Sequence, residues 1–581
     1  MAAGLVGALA AAGAAAQPSP TGALHQILRD YDAYYAANDP IGAGQRGDLA
    51  AAALWPDDSP AAAAERHRQD LAFKGRLDAV PAAGLTGEDA LNRELLDYRL
   101  GLDIQGAAFD EDRIPFTNDE GFFVTPGYAA EGVLIHNDAE AKAWLKRIET
   151  LPAYYDTEIA NMRRGITTGF VSPKLTALTC VKATRAQAEL PPDQSPLLQP
   201  FDNLPASMAG QREALRAEAL KLIVADVKPA ERRMAAFFAD EYLPKATVTL
   251  GASSLPNGRA YYAYRVRRET TTDMTPDEIF ALGQSEIARI RKAMDVEIAA
   301  SGFHGTFKAF QEKLRTDPQF YVTSREALLD KASRLAKRVD DKLPAYFGKL
   351  PRLSYGVREV PRAIEEGYTS GRYNEGSPEQ GIAGGLMINT SHLDQRPLYE
   401  LPALVSHEGA PGHHIQIALA QEQTDVPLFR KESDLTAYVE GWALYSEQLT
   451  REMGLYETPY DRFGLLSMEM WRACRLVMDV GIHWKGWTRD QAVACLKDNS
   501  ALADKNIQNE TDRYIGWPGQ ALGYKIGQLR IQALRDEART ALGPKFDYRR
   551  FHDVVLDEGS MPMSVLERRV RAWVKAEKAA S

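Results

Sequence analysis

Apolar residues recur three and four positions apart over most of the first 300 residues, which is the spacing of one buried face of an α-helix. Between about Ser19 and Thr117 the segments ALHQILRDYDAYYAAN and ALNRELLDYRLGLDI carry this pattern, and residues 138–165 and 207–244 repeat it. The run DMTPDEIFALGQSEIARIRKAMDVEIAASG predicts a long helix, with Asp277 and Glu278 at its electropositive start and Gly302 just past its end. Breaks rich in proline and glycine fall at 191–206, 251–259 and 350–385, and none is biased enough for a disordered linker. The segment 384-GGLMINTS-391 reads as a strand, either with an edge open to an extended peptide or as an ordinary hairpin strand, and Asn389 on it is a candidate substrate contact. The prediction is a mainly α-helical chain with a small β-sheet beside a histidine-rich helix. Residues 17–581 are expected to form one large, mostly helical domain, with two lobes around a cleft as a variant of the same arrangement.

Composition narrows the classes. The chain is 45% hydrophobic and 25% charged, as in an ordinary globular protein, and its net charge of −10 comes without a dense run of Lys or Arg. A nucleic-acid partner is therefore not expected. Three cysteines, Cys180, Cys474 and Cys495, are too few for a disulfide framework or a cysteine-based zinc site, and Cys474 to Cys495 is the one bridge considered.

Residues 1–16, MAAGLVGALAAAGAAA, end like a cleavage site but lack a basic start. They predict a signal peptide and a periplasmic or secreted protein, with an alanine-rich tail on a cytoplasmic protein as the alternative. No other run reaches the roughly 18 apolar residues of a membrane span, so no integral membrane segment is expected after signal removal.

Candidate chemistry concentrates in 406-SHEGAPGHHIQ-416. Two histidines four apart on one helix converge on a single zinc, with a glutamate between them as base, but the fourth residue after His407 is Pro411. In a continuous helix His413 would lie roughly 120° away from His407, and His414 about 10 Å further along. A kink or bulge at the Pro-Gly pair, absorbing the extra residues, would make His413 the partner of His407, with His414 as the alternative. The amphipathic stretch 434-DLTAYVEGWALYSEQLTREMG-454 offers Glu440 as third ligand and Glu447, on the same face, to hold a ligating imidazole. Two imidazoles and a carboxylate suit Zn2+ best, although cobalt or manganese would be accepted. Glu408 is placed to act as general base on a zinc-bound water.

The segments YELPALVSHEGAPGHHIQ, AYVEGWALYSEQL, RACRLVMDVGIHWKGWT, PGQALGYKIG and RETTTDMTPDEIFALGQSEIARI span about Arg268 to Arg535. In that order they resemble the bacterial family called domain of unknown function 885 (DUF885). That family is similar in outline to helical zinc peptidases of the angiotensin-converting enzyme, thimet oligopeptidase and Taq carboxypeptidase kind. The resemblance implies a helical fold with a deep channel, zinc on His, His and Glu, and hydrolysis of short peptides; His407, Glu408 and Glu440 carry over directly. It also implies an oxyanion donor on a later helix, for which Tyr524 and His483 are the best matches. Arg513 and Lys525 are candidates for gripping a substrate carboxylate. Hydrolysis of a non-peptide amide or ester, and a catalytically silent binding protein, are the rival readings.

Overall fold

The computed structural model describes residues 19–580, apart from 119, 363, 364, 366, 367, 379 and 380. The signal-peptide expectation for residues 1–16 falls outside the described residues.

The helical pattern is realised as expected. Helix α1 (Asp138–Thr168) is capped by the Asn137 side chain and ends at Gly169, which has a positive φ of 74°. Helix α2 (Pro276–Ala300) opens with a reciprocal cap in which Thr275 and Glu278 satisfy one another's backbone N–H groups, and Gly302 follows its end at φ 73°.

A three-stranded sheet lies between α2 and the histidine motif, in the order β1–β3–β2. Strand β1 (Tyr355–Glu359) runs parallel to β3 (Gly384–Ile388), and β2 (Gly371–Asn374) runs antiparallel to it, with Tyr373 opposite Leu386. Every residue of β3 is buried. The predicted strand is therefore central, not an open edge, and β2 is the edge. The sequence GGLMI fits this place, because a strand covered on both faces needs no polar alternation.

Five further helices frame the site: α3 (Leu401–Glu408), α4 (His413–Gln421), α5 (Thr436–Glu452), α6 (Pro459–His483) and α7 (Asp504–Gly516). An eighth, α8 (Gln520–Leu542), packs along α5, as α2 packs along α6. The approach of α5 and α8 is close enough to demand glycine: a Cβ at Gly527 would fall 1.7 Å from the Ala437 carbonyl oxygen. Helix α6 is buried on all sides from Phe463 to His483, so its charged residues must find partners inside the protein.

A second hydrophobic cluster, with Phe122, Trp144, Tyr155, Phe238 and Tyr242, surrounds α1. Asn118, Glu120 and Thr179 come from this side of the molecule and share one cleft of about 820 Å³ with residues of α3 to α8. Cys180, Cys474 and Cys495 are free thiols, and the sulfurs of Cys474 and Cys495 face each other at 2.7 Å. Among the described residues no helix is long and apolar enough to cross a membrane.

Candidate metal centre

Helix α3 stops at Glu408 and α4 begins at His413. The expected bulge within one helix is thus a full break with a restart. Pro411 cannot continue the helical hydrogen-bond ladder, and its carbonyl is instead taken by the Trp442 indole N–H at 2.9 Å. At Gly412 a Cβ would lie 2.0 Å from the His407 carbonyl oxygen, so this turn folds back on α3 only with glycine there. The return sets His413 against His407.

Nε2 of His407 lies 3.3 Å from Glu440 Oε2, and Nε2 of His413 lies 3.4 Å from the same oxygen. One ligand atom from each of the three residues falls within 4.8 Å of the others. Two ligand atoms bound tetrahedrally at about 2.0–2.1 Å from one zinc stand roughly 3.3 Å apart, so the spacing fits that ion. Glu440 Oε2 is buried and has no hydrogen-bond partner among the described residues. Burial alone would raise the Glu440 carboxyl, but the adjacent His413 and His407 outweigh it and hold the group well below the usual carboxylate range. Burial likewise opposes charge on His407, yet Glu440 and Glu447 raise it to about 9. Both shifts express the same field: positive charge is stabilised among these three side chains.

Glu447, two turns along α5, brings Oε1 to 2.8 Å from His407 Nδ1, and Arg472 Nη2 stands 3.6 Å from that oxygen. A proton on Nδ1 shared with Glu447 leaves the Nε2 lone pair turned towards His413 and Glu440. Glu408 lines the cleft, and its Oε2 accepts the backbone N–H of Tyr373, on edge strand β2, at 2.8 Å. His414 belongs to another neighbourhood. Its Nδ1 is 3.0 Å from the Tyr373 hydroxyl, the Tyr355 ring lies 4.4 Å away, and burial pushes its pKa down to about 4.

A family model described as "Bacterial protein of unknown function (DUF885)" matches residues 40–570. The chain belongs to the DUF885 family. No curated protein matches it. Among solved structures, the DUF885 chain is similar to a candidate lipoprotein from Colwellia psychrerythraea, with 28% identity, a TM-score of 0.90, and coverage of 96% of this chain and 100% of that one. A candidate lipoprotein of unknown function from Shewanella oneidensis shares the fold at 18% identity and a TM-score of 0.68, over 95% of this chain and 99% of that one. A candidate oligoendopeptidase F from Bacillus anthracis is 11% identical over 88% of this chain and 96% of that one, with a TM-score of 0.31, a level that carries neither its fold nor its activity to this protein.

The other expected site residues of this DUF885 protein divide into two groups. Tyr524 and Arg513 line the cleft; Tyr524 lies beneath the Arg475 guanidinium at 4.1 Å, and Arg513 Nη2 donates to Gln520 Oε1 at 3.2 Å. Lys525, His483 and Asn389 do not line it. Lys525 is fully buried, its Nζ donating to Glu469 at 2.7 Å and Gln528 at 2.8 Å with Glu286 at 3.1 Å, which leaves nothing for a substrate carboxylate. His483 accepts the Ala252 N–H on Nδ1 at 3.0 Å and donates from Nε2 to the Tyr514 carbonyl at 2.8 Å. Both ring nitrogens are spent on backbone, and burial lowers its pKa to about 4. Asn389 donates to the Glu365 and Tyr368 carbonyls at 2.8 and 3.0 Å, bracing the chain that leads into β2. The cleft residues Arg472 and Arg475 were not foreseen. Their signal was available: two arginines stand one turn apart in the largely apolar run RACRLVMDVGIH.

Proposed function

We infer that this DUF885 protein is a zinc-dependent hydrolase of short peptides. The carrying observation is the meeting of two imidazole nitrogens with an orphaned carboxylate oxygen at the spacing one tetrahedral ion requires, in a cleft that also holds Glu408. His407, His413 and Glu440 would hold the metal. Zn2+ bound there supplies Lewis acidity, which polarises a carbonyl and acidifies water.

The chain's own residues do the rest. Glu408, held through Oε2 by the Tyr373 N–H, keeps its other oxygen free to take a proton from water and return it to the leaving amine. Glu447 fixes the ring of His407. The Tyr524 hydroxyl, on the α8 wall, is the donor for the developing oxyanion. The description of two structural relatives as candidate lipoproteins supports a secreted or envelope-associated location for this chain as well.

The test is a screen of zinc-loaded protein against peptide libraries with and without chelator. Peptide cleavage that stops on chelation is expected. The Glu408→Gln variant should retain one zinc and lose about 10²- to 10⁴-fold in turnover. Cleavage of non-peptide amides alone would overturn the peptide assignment, and wild-type turnover by Glu408→Gln would remove Glu408 from the mechanism.

A further inference from the structure

Arg475 is only 2% exposed, yet it lines the cleft. Its Nε donates to the Tyr514 hydroxyl at 2.8 Å and its Nη2 to Glu510 at 3.0 Å, while Nη1 is buried and has no partner. The guanidinium carbon lies over two aromatic rings, 4.1 Å from the Tyr524 ring centroid and 4.8 Å from that of Trp471. A second guanidinium, Arg513, lies 3.9 Å from the same Glu510 carboxylate and also lines the cleft. Among the described residues Glu510 is the one carboxylate paired with either arginine, so two positive charges meet one negative charge.

A buried N–H left without an acceptor costs about 1–3 kcal/mol, more on a charged group. An oriented guanidinium with an unpartnered Nη1 amino group and an uncompensated charge is the half of a fork that a carboxylate completes. One surplus positive charge suits a monoanion better than a phosphate dianion. The position is also specific. Arg472, one turn earlier on α6, lies 3.6 Å from Glu447, which holds His407, so the same helix carries both a support of the metal centre and, at the next turn of its backbone, Arg475.

We propose that Arg475 and Arg513 form the cleft's binding site for a carboxylate of the substrate, and that the protein selects peptides presenting one. This rests on the hydrolase reading for its consequence but not for its existence, because the site is built without the metal. The carboxylate is either the peptide's C-terminus or an acidic side chain, and the two are separable.

Calorimetric titration of chelator-treated Glu408→Gln protein with tri-alanine, tri-alanine amide and Ala-Ala-Asp amide reads the site directly. Tri-alanine is expected to bind about 10- to 100-fold more tightly than its amide. If Ala-Ala-Asp amide matches tri-alanine, the site accepts side-chain carboxylates; if it matches tri-alanine amide, it is a C-terminus site. Arg513→Gln, on the better exposed guanidinium, should bring the acid-to-amide ratio towards unity, and Arg475→Gln should do the same; where Arg475→Gln fails to fold, Arg513→Gln carries the test. Equal affinity for all three probes overturns the proposal. With zinc-loaded wild-type protein, peptide hydrolysis indifferent to the carboxylate would sink the carboxylate site and spare the hydrolase. Selective binding with no hydrolysis of any peptide would do the reverse.

Discussion

Two buried charge clusters share helix α6, one completed from α2 and α8 and the other from α3, α4, α5 and α7, and they differ in whether their members are paired. Around Lys525 everything is paired: Glu469 and Gln528 accept its hydrogen bonds, Glu286 pairs with its charge, and Arg289 closes the network from outside through Glu286 and Glu469. Around the histidine motif and Arg475 the pairing stops short, with Glu440 Oε2, His413 Nδ1 and Arg475 Nη1 all buried and unmatched. A closed cluster holds the fold together; an open one awaits a partner from outside. The contrast teaches that a buried charge is informative about function only after its partners have been counted.

The strongest break of this contrast is to remove a donor from the open cluster. His413→Ala should abolish stoichiometric zinc binding in elemental analysis with little change in folding, whereas His414→Ala should keep one equivalent. In the closed cluster the effect should fall on stability. Lys525→Met leaves buried carboxylates without their cation and is expected to cost about 3–5 kcal/mol, seen as a lower unfolding midpoint, while properly folded variant keeps its zinc. Equal loss of zinc from Lys525→Met would erase the distinction. Glu447→Gln sharpens it: the His407 ring loses its charged anchor, and zinc affinity measured by competition with a chelator should fall about 10- to 100-fold.

The smallest effect concerns an open cluster in which carboxylates outnumber cations, with Asp58 and Asp112 sharing Arg66. Glu158 Oε2 is buried and unmatched, and burial, with Asp58 beside it, pushes its pKa up to about 9. Such a cluster closes itself with a proton. Because the folded value lies above the ordinary glutamate value, this stabilisation is complete below about pH 4.3 and is lost as pH rises through 9. Glu158→Gln should therefore raise the unfolding midpoint by about 2 °C at pH 8.5 and by less at pH 5, in thermal scans at both values. A larger gain at pH 5 would contradict the assigned shift.

Much of this was legible beforehand. The 3.6-residue periodicity and the capping residues of α2 are local signals, and they predicted the helices. His407, Glu408, Glu440 and Glu447 could be read because helical spacing places i and i+7 on one face of α5 and because the motif is compact. The break at Pro411 was underestimated, since a full return of the chain depends on Gly412 lying against the His407 carbonyl, a contact between residues that no periodicity describes. Lys525, His483 and Asn389 look as available in sequence as Arg513 does. What separates them is the set of acceptors and donors brought in from distant elements, Glu286, Tyr514 and Tyr368 among them.

The hydrogen bond that steadies Glu408 comes from the main chain of β2, not from a side chain. Ordinary replacements at position 373 leave an amide in place, and only proline deletes it. The aim of the proposed general base is therefore insulated from mutational drift along the strand, while the side chains around it are at liberty to change and, with them, the range of molecules admitted to the cleft.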